Sequence, residues 1–295
     1  MNDSNDIPLR IALPKGRMQK GVFSLLQDAG ISISATDRGY RPTLSLENIE
    51  TKILKPQNIV EMLNQGSRDL GFAGADWVSE LKLNDPDFDL VEILDTGLDP
   101  VQLVVAAPND LVADGKLPNQ KLVVASEYEN LAKNWFSDQS LDFQFVKSNG
   151  ATEVFPPEDA DVIVDNTATG ATLRENRLTI VDELMKSSTR LYASRAAIET
   201  PAKRKRIEDL KLVLNAVLDG RQRLMVEVNV SAEQLDQVIG VLPAMQKPTV
   251  APLFGDAGYA VRAAVLRVEL PLVIPQVKAA GGHDIVVTDV NQIIS

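Results

Sequence analysis

The chain has 295 residues, 44% of them hydrophobic and 24% charged. That is the balance of a soluble globular protein long enough for two or three domains, and it excludes a disordered or fibrous chain. With no cysteine and one histidine, the chain has no disulfides, thiolate nucleophiles or zinc clusters, and His283 alone argues against a histidine triad or a multi-histidine metal site. A net charge of −11 opposes nonspecific nucleic-acid binding but leaves room for an anionic small ligand held by a few local cations and a metal ion. No run of about 18 apolar residues predicts a membrane span. The polar, acidic start MNDSNDIPLR is unlike a secretory signal, so a cytoplasmic protein is expected.

In chain order, short apolar runs alternate with longer amphipathic segments, an α/β signature. Residues 9–13 read as a strand, followed by Pro14-Lys15-Gly16-Arg17. Met18, Val22, Leu25, Leu26 and Ala29 then recur at helical spacing, with Gly30 where a C-terminal cap belongs. Residues 43–47 and 50–54 flank Asn48-Ile49 like the arms of a hairpin, and Pro56 opens a helix over 57–63. A strand at 69–73 leads through Gly74 to a helix near 76–82. The runs 101–107 and 122–125 are nearly all apolar, as in strands buried on both faces of a mainly parallel sheet, and they predict a second sheet. A helix over 129–136 and strands at 143–146, 162–164, 178–181 and 190–193 follow, then a long charged segment from Pro201 to Arg221. Beyond Arg221 the order is strand 224–230, helix 232–239, strands 249–253 and 259–265, helix 269–280 and strand 284–288. This βαββαβ order is the ferredoxin-like arrangement.

The stretch VIVDNTATGATL, residues 162–173, carries the chemistry. A strand ending at Asp165 runs into Thr167, Ala168, Thr169, Gly170, Ala171 and Thr172. Their hydroxyls and close-approaching backbone N–H groups can face phosphate oxygens. On these residues alone an ordinary strand-to-helix turn capped by threonine stays open beside that reading. The spacings of the Walker motif and of the dinucleotide fingerprint are absent.

The stretch resembles the phosphoribosyl pyrophosphate loop of phosphoribosyltransferases, an apolar strand, two acids and T-G-x-T, with Asn166 in place of the second acid. That departure is typical of the ATP phosphoribosyltransferase family, the first enzyme of histidine biosynthesis. Other blocks are similar to the same family in its order: Leu13-Pro14-Lys15-Gly16-Arg17, Lys55-Pro56-Gln57-Asn58-Ile59, and Asp69 to Asp76. They continue with Ser126 to Leu131, Asn149 to Glu153, and Lys247 to Leu253, the last typical of the long form. The resemblance implies two catalytic lobes like those of a type II periplasmic binding protein, with the active site in the cleft, plus a C-terminal ferredoxin-like (ACT-like) domain. The catalytic region is expected to span 1–222, lobe I being about 1–100 and 190–222 and lobe II about 101–189, and the regulatory domain 223–295.

The resemblance further implies that ATP and phosphoribosyl pyrophosphate, with Mg2+, give phosphoribosyl-ATP and pyrophosphate. Such a transfer needs positioning and charge stabilisation rather than a protein nucleophile. The expected phosphoribosyl pyrophosphate site is Asp165 with Thr167 to Thr172, and Glu153 lies nearby. Lys15, Gly16 and Arg17 are expected at the pyrophosphate or the ATP phosphates, with Lys55, Asp76 and Tyr128 as further ATP contacts. Lys55 lacks the bidentate fork of the family's arginine, and Asn58 lacks its usual carboxylate. No set of metal ligands is assigned. Histidine is the expected feedback inhibitor, with Thr249 in the effector region, and homo-oligomers from dimer to hexamer are expected. A two-lobed anion-binding or sensor protein, or a transferase acting on another base, are the rival readings. His283, Trp77, Trp135, Asp161 and the run Lys203-Arg204-Lys205-Arg206 read as structural or solvated rather than functional.

Overall fold

A computed structural model of the chain describes residues 7–34, 39–245 and 247–294. Two compact units emerge. One holds the described residues up to Gln27 together with Ile31–Glu208, the other Asp28–Gly30 and the chain from Asp209 onward.

The first unit begins β1 (Leu9–Pro14), α1 (Arg17–Asp28), β2 (Ile33–Ser34), β3 (Thr43–Leu44), β4 (Ile49–Leu54), α2 (Pro56–Asn64), β5 (Leu70–Gly74), α3 (Ala75–Lys82) and β6 (Leu90–Pro108). It continues with β7 (Leu122–Ser126), α4 (Glu129–Asp138), β8 (Phe143–Lys147), β9 (Val162–Thr167), α5 (Ala171–Glu175), β10 (Leu178–Ser194), α6 (Arg195–Glu199) and the start of α7 (Pro201–Arg221), whose residues from Asp209 fall in the second unit. Eight strands form one sheet in the order β4-β1-β5-β10-β6-β9-β7-β8. The outer trios, β4-β1-β5 and β9-β7-β8, pair in parallel, whereas β10 pairs antiparallel with β5 and β6, and β6 antiparallel with β9. Each parallel trio is one lobe, and the long strands β6 and β10 run through both. This is the two-lobed arrangement expected of the catalytic region.

The central strands carry no alternation because both faces are covered. All five residues of β5 are buried, Phe72 completely, and Ile11 and Leu13 of β1 are equally enclosed. Helix α1 buries Met18, Val22, Leu25 and Leu26, the stripe read from sequence, against one face. Truncating a side chain such as Phe72 to alanine costs about 3–5 kcal/mol, enough to threaten a fold whose net stability is about 5–15 kcal/mol.

Five expectations are corrected. Residues 43–47 and 50–54 do not pair as a hairpin: β3 pairs with β2, and β4 pairs in parallel with β1 from Leu9 opposite Ile49. The apolar runs after Val101 do not build a separate second sheet, since β6 carries one hydrogen-bonded ladder across both lobes. That sheet is mixed rather than mainly parallel. The strands at 178–181 and 190–193 are the two ends of β10, whose polar middle, with Asp182, Glu183 and Lys186, hides the strand in the sequence; the ladder shifts register around Asp182 and Glu183. Strand β6 likewise begins earlier than its apolar run, with left-handed Gly97 and Asp99 interrupting its first half.

The second unit contains β11 (Arg223–Val230), α8 (Leu235–Val241), β12 (Thr249–Pro252), β13 (Tyr259–Leu266), α9 (Leu270–Ala279) and β14 (His283–Asp289). Its sheet order, β12-β13-β11-β14, is antiparallel throughout and is that of a ferredoxin-like βαββαβ unit. Strict alternation in β11 buries Val226, Val228 and Val230 with Val238 of α8 and Val273 and Val277 of α9. Among the described residues no helix is long and apolar enough to cross a membrane.

Candidate active site

The parallel strands of both lobes end at the same cleft, where loops leave their C-terminal ends. In lobe II, β9 runs past the expected end at residue 164: Asp165, Asn166 and Thr167 are its last residues, paired with Val104, Leu103 and Gln102 of β6, and Ala168 to Gly170 lead on to α5. Gly170 adopts a left-handed φ of 69°, a conformation that favours glycine, and its N–H donates to the Thr167 hydroxyl at 2.9 Å. Ala171 N–H reaches the Thr169 hydroxyl at 3.4 Å. Asp165, Thr167, Thr169 and Thr172 line one cavity of about 250 Å³ with Ala168 and Ala171, joined by Glu153 and, from lobe I, Arg17. Glu153 arrives there on a short 3-10 turn, Thr152–Val154, that follows the left-handed pair Gly150 and Ala151.

Asp165 sits in an environment that disfavours its charge. Burial, with the neighbouring Glu153 and Glu127, pushes its carboxyl up to about 7, against the opposing pull of the Asn166 N–H at 2.7 Å and of Arg17. A cation placed there would restore the charge. Among the described residues no group of three or more acidic or histidine side chains could hold a metal ion. Asp165 and Glu153 offer hard oxygen donors of the kind that hold Mg2+ through one or two carboxylates together with substrate phosphates.

Lobe I meets the cleft with cations. The β1–α1 loop carries Lys15, Gly16 and Arg17, and Gly16 makes its turn at a φ of 83°. Lys15 lies beside Tyr40, its ammonium 5.1 Å from the ring centroid and 3.3 Å from the hydroxyl. Lys15, Arg41, Lys52 and Lys55 line a cavity of about 390 Å³ together with Tyr40 and Asn58. Lys55 also lines a second cavity, of about 500 Å³, with Trp77, Glu127, Lys133 and Lys147. Asn58 turns its amide toward Glu61 at 3.5 Å. Arg41, Lys52 and Tyr40 were missed in sequence, since isolated charges near a turn carry no periodic signal.

Asp76 and Tyr128 stand apart from the other expected ATP contacts. Both are 1% exposed, and their polar atoms bond to each other and to other protein groups. Tyr128 also stacks on Trp77 with ring centroids 4.5 Å apart. A side chain on Gly74 would run into the Asp76 carboxylate, so glycine there is set by close approach.

Helix α4 begins without a side-chain cap of its own. Its first N–H groups are satisfied from the other lobe, Glu80 of α3 accepting from the N–H of Asn130 and of Leu131, each at 2.9 Å. Burial pushes the Glu80 carboxyl up, and those two hydrogen bonds oppose the shift. No local motif could reveal this cap, because donor and acceptor are about fifty positions apart in the chain.

Asp161 accepts from the Val123 N–H at 2.7 Å, Trp135 donates to Asp182 at 2.8 Å, and His283 is exposed beside Asp284. The basic run is not a solvated face throughout: Lys203 is nearly buried and bonds Asp69 at 2.8 Å, and Arg206 caps the carbonyls of Ile7 and Glu47. Thr249 is exposed on the edge strand β12, opposite Arg262 in the ladder.

A two-lobed α/β unit with an acid and a threonine-glycine loop on one wall of its cleft, and cations on the other, fits a class: transferases of the phosphoribosyl group. The family model described as ATP phosphoribosyltransferase matches residues 55–216, and the one described as HisG, C-terminal domain, matches residues 220–292. An ATP phosphoribosyltransferase of Chlorobaculum parvum is 31% identical over the whole of both chains. One of Desulforudis audaxviator is 33% identical over 97% of this chain and 99% of its own. In fold, the chain is similar to an ATP phosphoribosyl transferase (HisG:HisZ) complex from Thermotoga maritima, with a TM-score of 0.62 at 24% identity over 72% of this chain and 98% of that one. The chain belongs to the long-form ATP phosphoribosyltransferase family. It is therefore a pentosyltransferase of histidine biosynthesis that joins the phosphoribosyl group to N1 of ATP.

Proposed function

We propose that the cavity at Asp165–Thr172 takes phosphoribosyl pyrophosphate and that the cationic cavity around Lys15 and Lys55 takes the phosphates of ATP. The observation that carries this reading is the opposite charge of the two walls. In the reaction the N1 lone pair forms a bond to the anomeric carbon while the bond from that carbon to the pyrophosphate oxygen breaks, and its electron pair leaves with pyrophosphate. Positive charge develops on the ribose and negative charge on the leaving group. Asp165 and Glu153 face the ribose side. The hydroxyls of Thr167, Thr169 and Thr172, with the N–H groups around Gly170, serve the 5-phosphate. Arg17, reaching into the same cavity from the other lobe, faces the leaving pyrophosphate. Lys15 and Lys55, with Arg41 and Lys52, offset the triphosphate charge. Mg2+ would screen the pyrophosphate oxygens, held by Asp165 or Glu153.

The domain division proposed is a catalytic region over 1–222 and a regulatory domain over 223–295. Lobe I takes about 1–100 and 190–222, and lobe II about 101–189. The βαββαβ order after Arg223 supports it. We further assign histidine as a feedback inhibitor near Thr249, a homo-oligomer between dimer and hexamer, and a cytoplasmic location. An activity titration with histidine and a sedimentation measurement test the first two.

The direct test of the site mixes the protein with ATP, phosphoribosyl pyrophosphate and Mg2+ and follows phosphoribosyl-ATP by absorbance. Asp165→Asn is expected to lower kcat/KM for phosphoribosyl pyrophosphate about a hundredfold, and Thr169→Val about tenfold. Native kinetics in both folded variants would remove the assignment.

A further inference from the structure

Asp76 and Tyr128 form the start of a chain of hydrogen bonds whose direction is fixed at each step. Oδ1 of Asp76 accepts from the Ser187 hydroxyl and from the Trp77 N–H, each at 3.0 Å, and Oδ2 accepts from the Tyr128 hydroxyl at 2.7 Å. A phenol has one proton to give. With that proton committed to Asp76, the Tyr128 oxygen can only accept, and it accepts from Asn166 Nδ2 at 2.9 Å. The other end of the amide, Oδ1, then lies 3.4 Å from Nη1 of Arg17. Tyr128 cannot turn away from this arrangement. Its N–H donates to the Ser126 hydroxyl at 2.8 Å, that hydroxyl donates to the Val164 carbonyl at 2.6 Å, and its ring is held against Trp77. Burial, then the charge of Asp76, pushes the Tyr128 hydroxyl far above the ordinary phenol range, so it keeps its proton.

We infer that Asn166 is a positioning residue that carries the polarity set by Asp76 and Tyr128 across the cleft to Arg17, and that a carboxylate cannot take its place. An aspartate at position 166 would aim an oxygen at the Tyr128 oxygen with no proton between them. If Tyr128 turned its proton to meet it, Oδ2 of Asp76 would be left buried without a donor, a loss that costs more than the bond itself contributes. The amide in place of the loop's second acid is thus dictated from the other lobe. It leaves Arg17 aimed into the cavity that holds Asp165. The inference rests on the proposed role of Arg17 at the leaving pyrophosphate.

The test reverses the chain. In Asp76→Asn/Asn166→Asp the new amide at position 76 can donate to the Tyr128 oxygen, and the hydroxyl proton is free to turn to the new carboxylate at position 166. Each single variant is expected to lower kcat for the transfer about tenfold or more with a smaller change in KM for ATP. The double variant is expected to return to within about threefold of the native value, with thermal unfolding of all four proteins measured alongside. A double variant as impaired as the product of the singles overturns the inference, as does one that fails to fold. A native kcat in Asn166→Asp alone overturns it as well. A folded, active double variant supports it even where a single variant does not fold, since a steric role for these side chains would not be repaired by exchanging acid and amide. Should Asp165→Asn and Thr169→Val instead keep native kinetics, the site assignment fails, whatever the double variant does.

Discussion

Lobe I and lobe II are built alike, each a parallel trio of strands ending at the cleft, yet one presents Lys15, Arg17, Arg41, Lys52 and Lys55 and the other presents Asp165, Glu153 and the threonines of the β9–α5 loop. The cationic wall works through side chains on separate segments. The lobe II wall is, apart from Glu153, one continuous stretch from Asp165 to Thr172, in which a carboxylate, hydroxyls and backbone N–H groups come in fixed order. Under the proposed assignment the contrast follows from the ligands. A flexible polyphosphate needs charges that can follow it, whereas a ribose ring with one phosphate needs a rigid cradle. A loop can be read from consecutive residues, and a scattered wall cannot.

That contrast can be broken most directly at Arg17, which enters the lobe II cavity from the start of α1. Arg17→Ala is expected to lower kcat about a hundredfold, and Arg17→Lys to recover only part of it, because the lysine keeps the charge and loses the fork. Equal rates for the two variants in a steady-state assay would show that only charge matters there.

The next effect is in pH. With its carboxyl at about 7, Asp165 is mostly protonated at pH 6 and ionised at pH 8. The carboxylate proposed to face the ribose therefore gains its charge as pH rises, and KM for phosphoribosyl pyrophosphate is expected to fall about tenfold across that interval. Asp165→Asn should flatten the profile. A profile of unchanged shape in that variant assigns the titration to another group.

Lobe I also spends charge on its own stability, and Lys203→Ala measures this. Burial alone would push the Asp69 carboxyl up, but hydrogen bonds from Arg10 and Lys203 outweigh it and hold the group below the ordinary carboxylate range. A depressed carboxyl stabilises the fold above its unfolded pKa, and that contribution is lost as pH falls through the folded one. Lys203→Ala is expected to cost about 2 kcal/mol at pH 7 and less near pH 3, read from denaturant unfolding. An equal loss at both values would mean that packing of the lysine stem dominates.

The smallest effect is expected at Lys55, which lines the lobe I cavity with Lys15 and also the cavity shared with Glu127, Lys133 and Lys147 of lobe II. Lys55→Arg restores a fork without changing charge and should lower KM for ATP about threefold, leaving KM for phosphoribosyl pyrophosphate unchanged. A change in the second constant rather than the first would move Lys55 to the other substrate.

The amino-acid sequence alone determined the α/β alternation, the βαββαβ order of the last part and the loop from Asp165 to Thr172. Each of these depends on periodicity or on consecutive residues, and burial and turn chemistry act on them locally. It also showed that the chemistry must proceed without cysteine or a histidine cluster. Only the tertiary structure decided that one sheet serves both lobes, that residues 178–194 are a single strand, and that 43–47 and 50–54 part company. Strand partners are chosen by long-range pairing, which leaves no trace in a short window. The same holds inside the site. Glu80 caps a helix in the other lobe, and Asp76 and Tyr128, read as ATP contacts, spend their polar atoms on each other and on Asn166. A buried hydrogen bond is a relation between two places in the fold, and each of these residues, met singly in the chain, looks equally suited to a ligand.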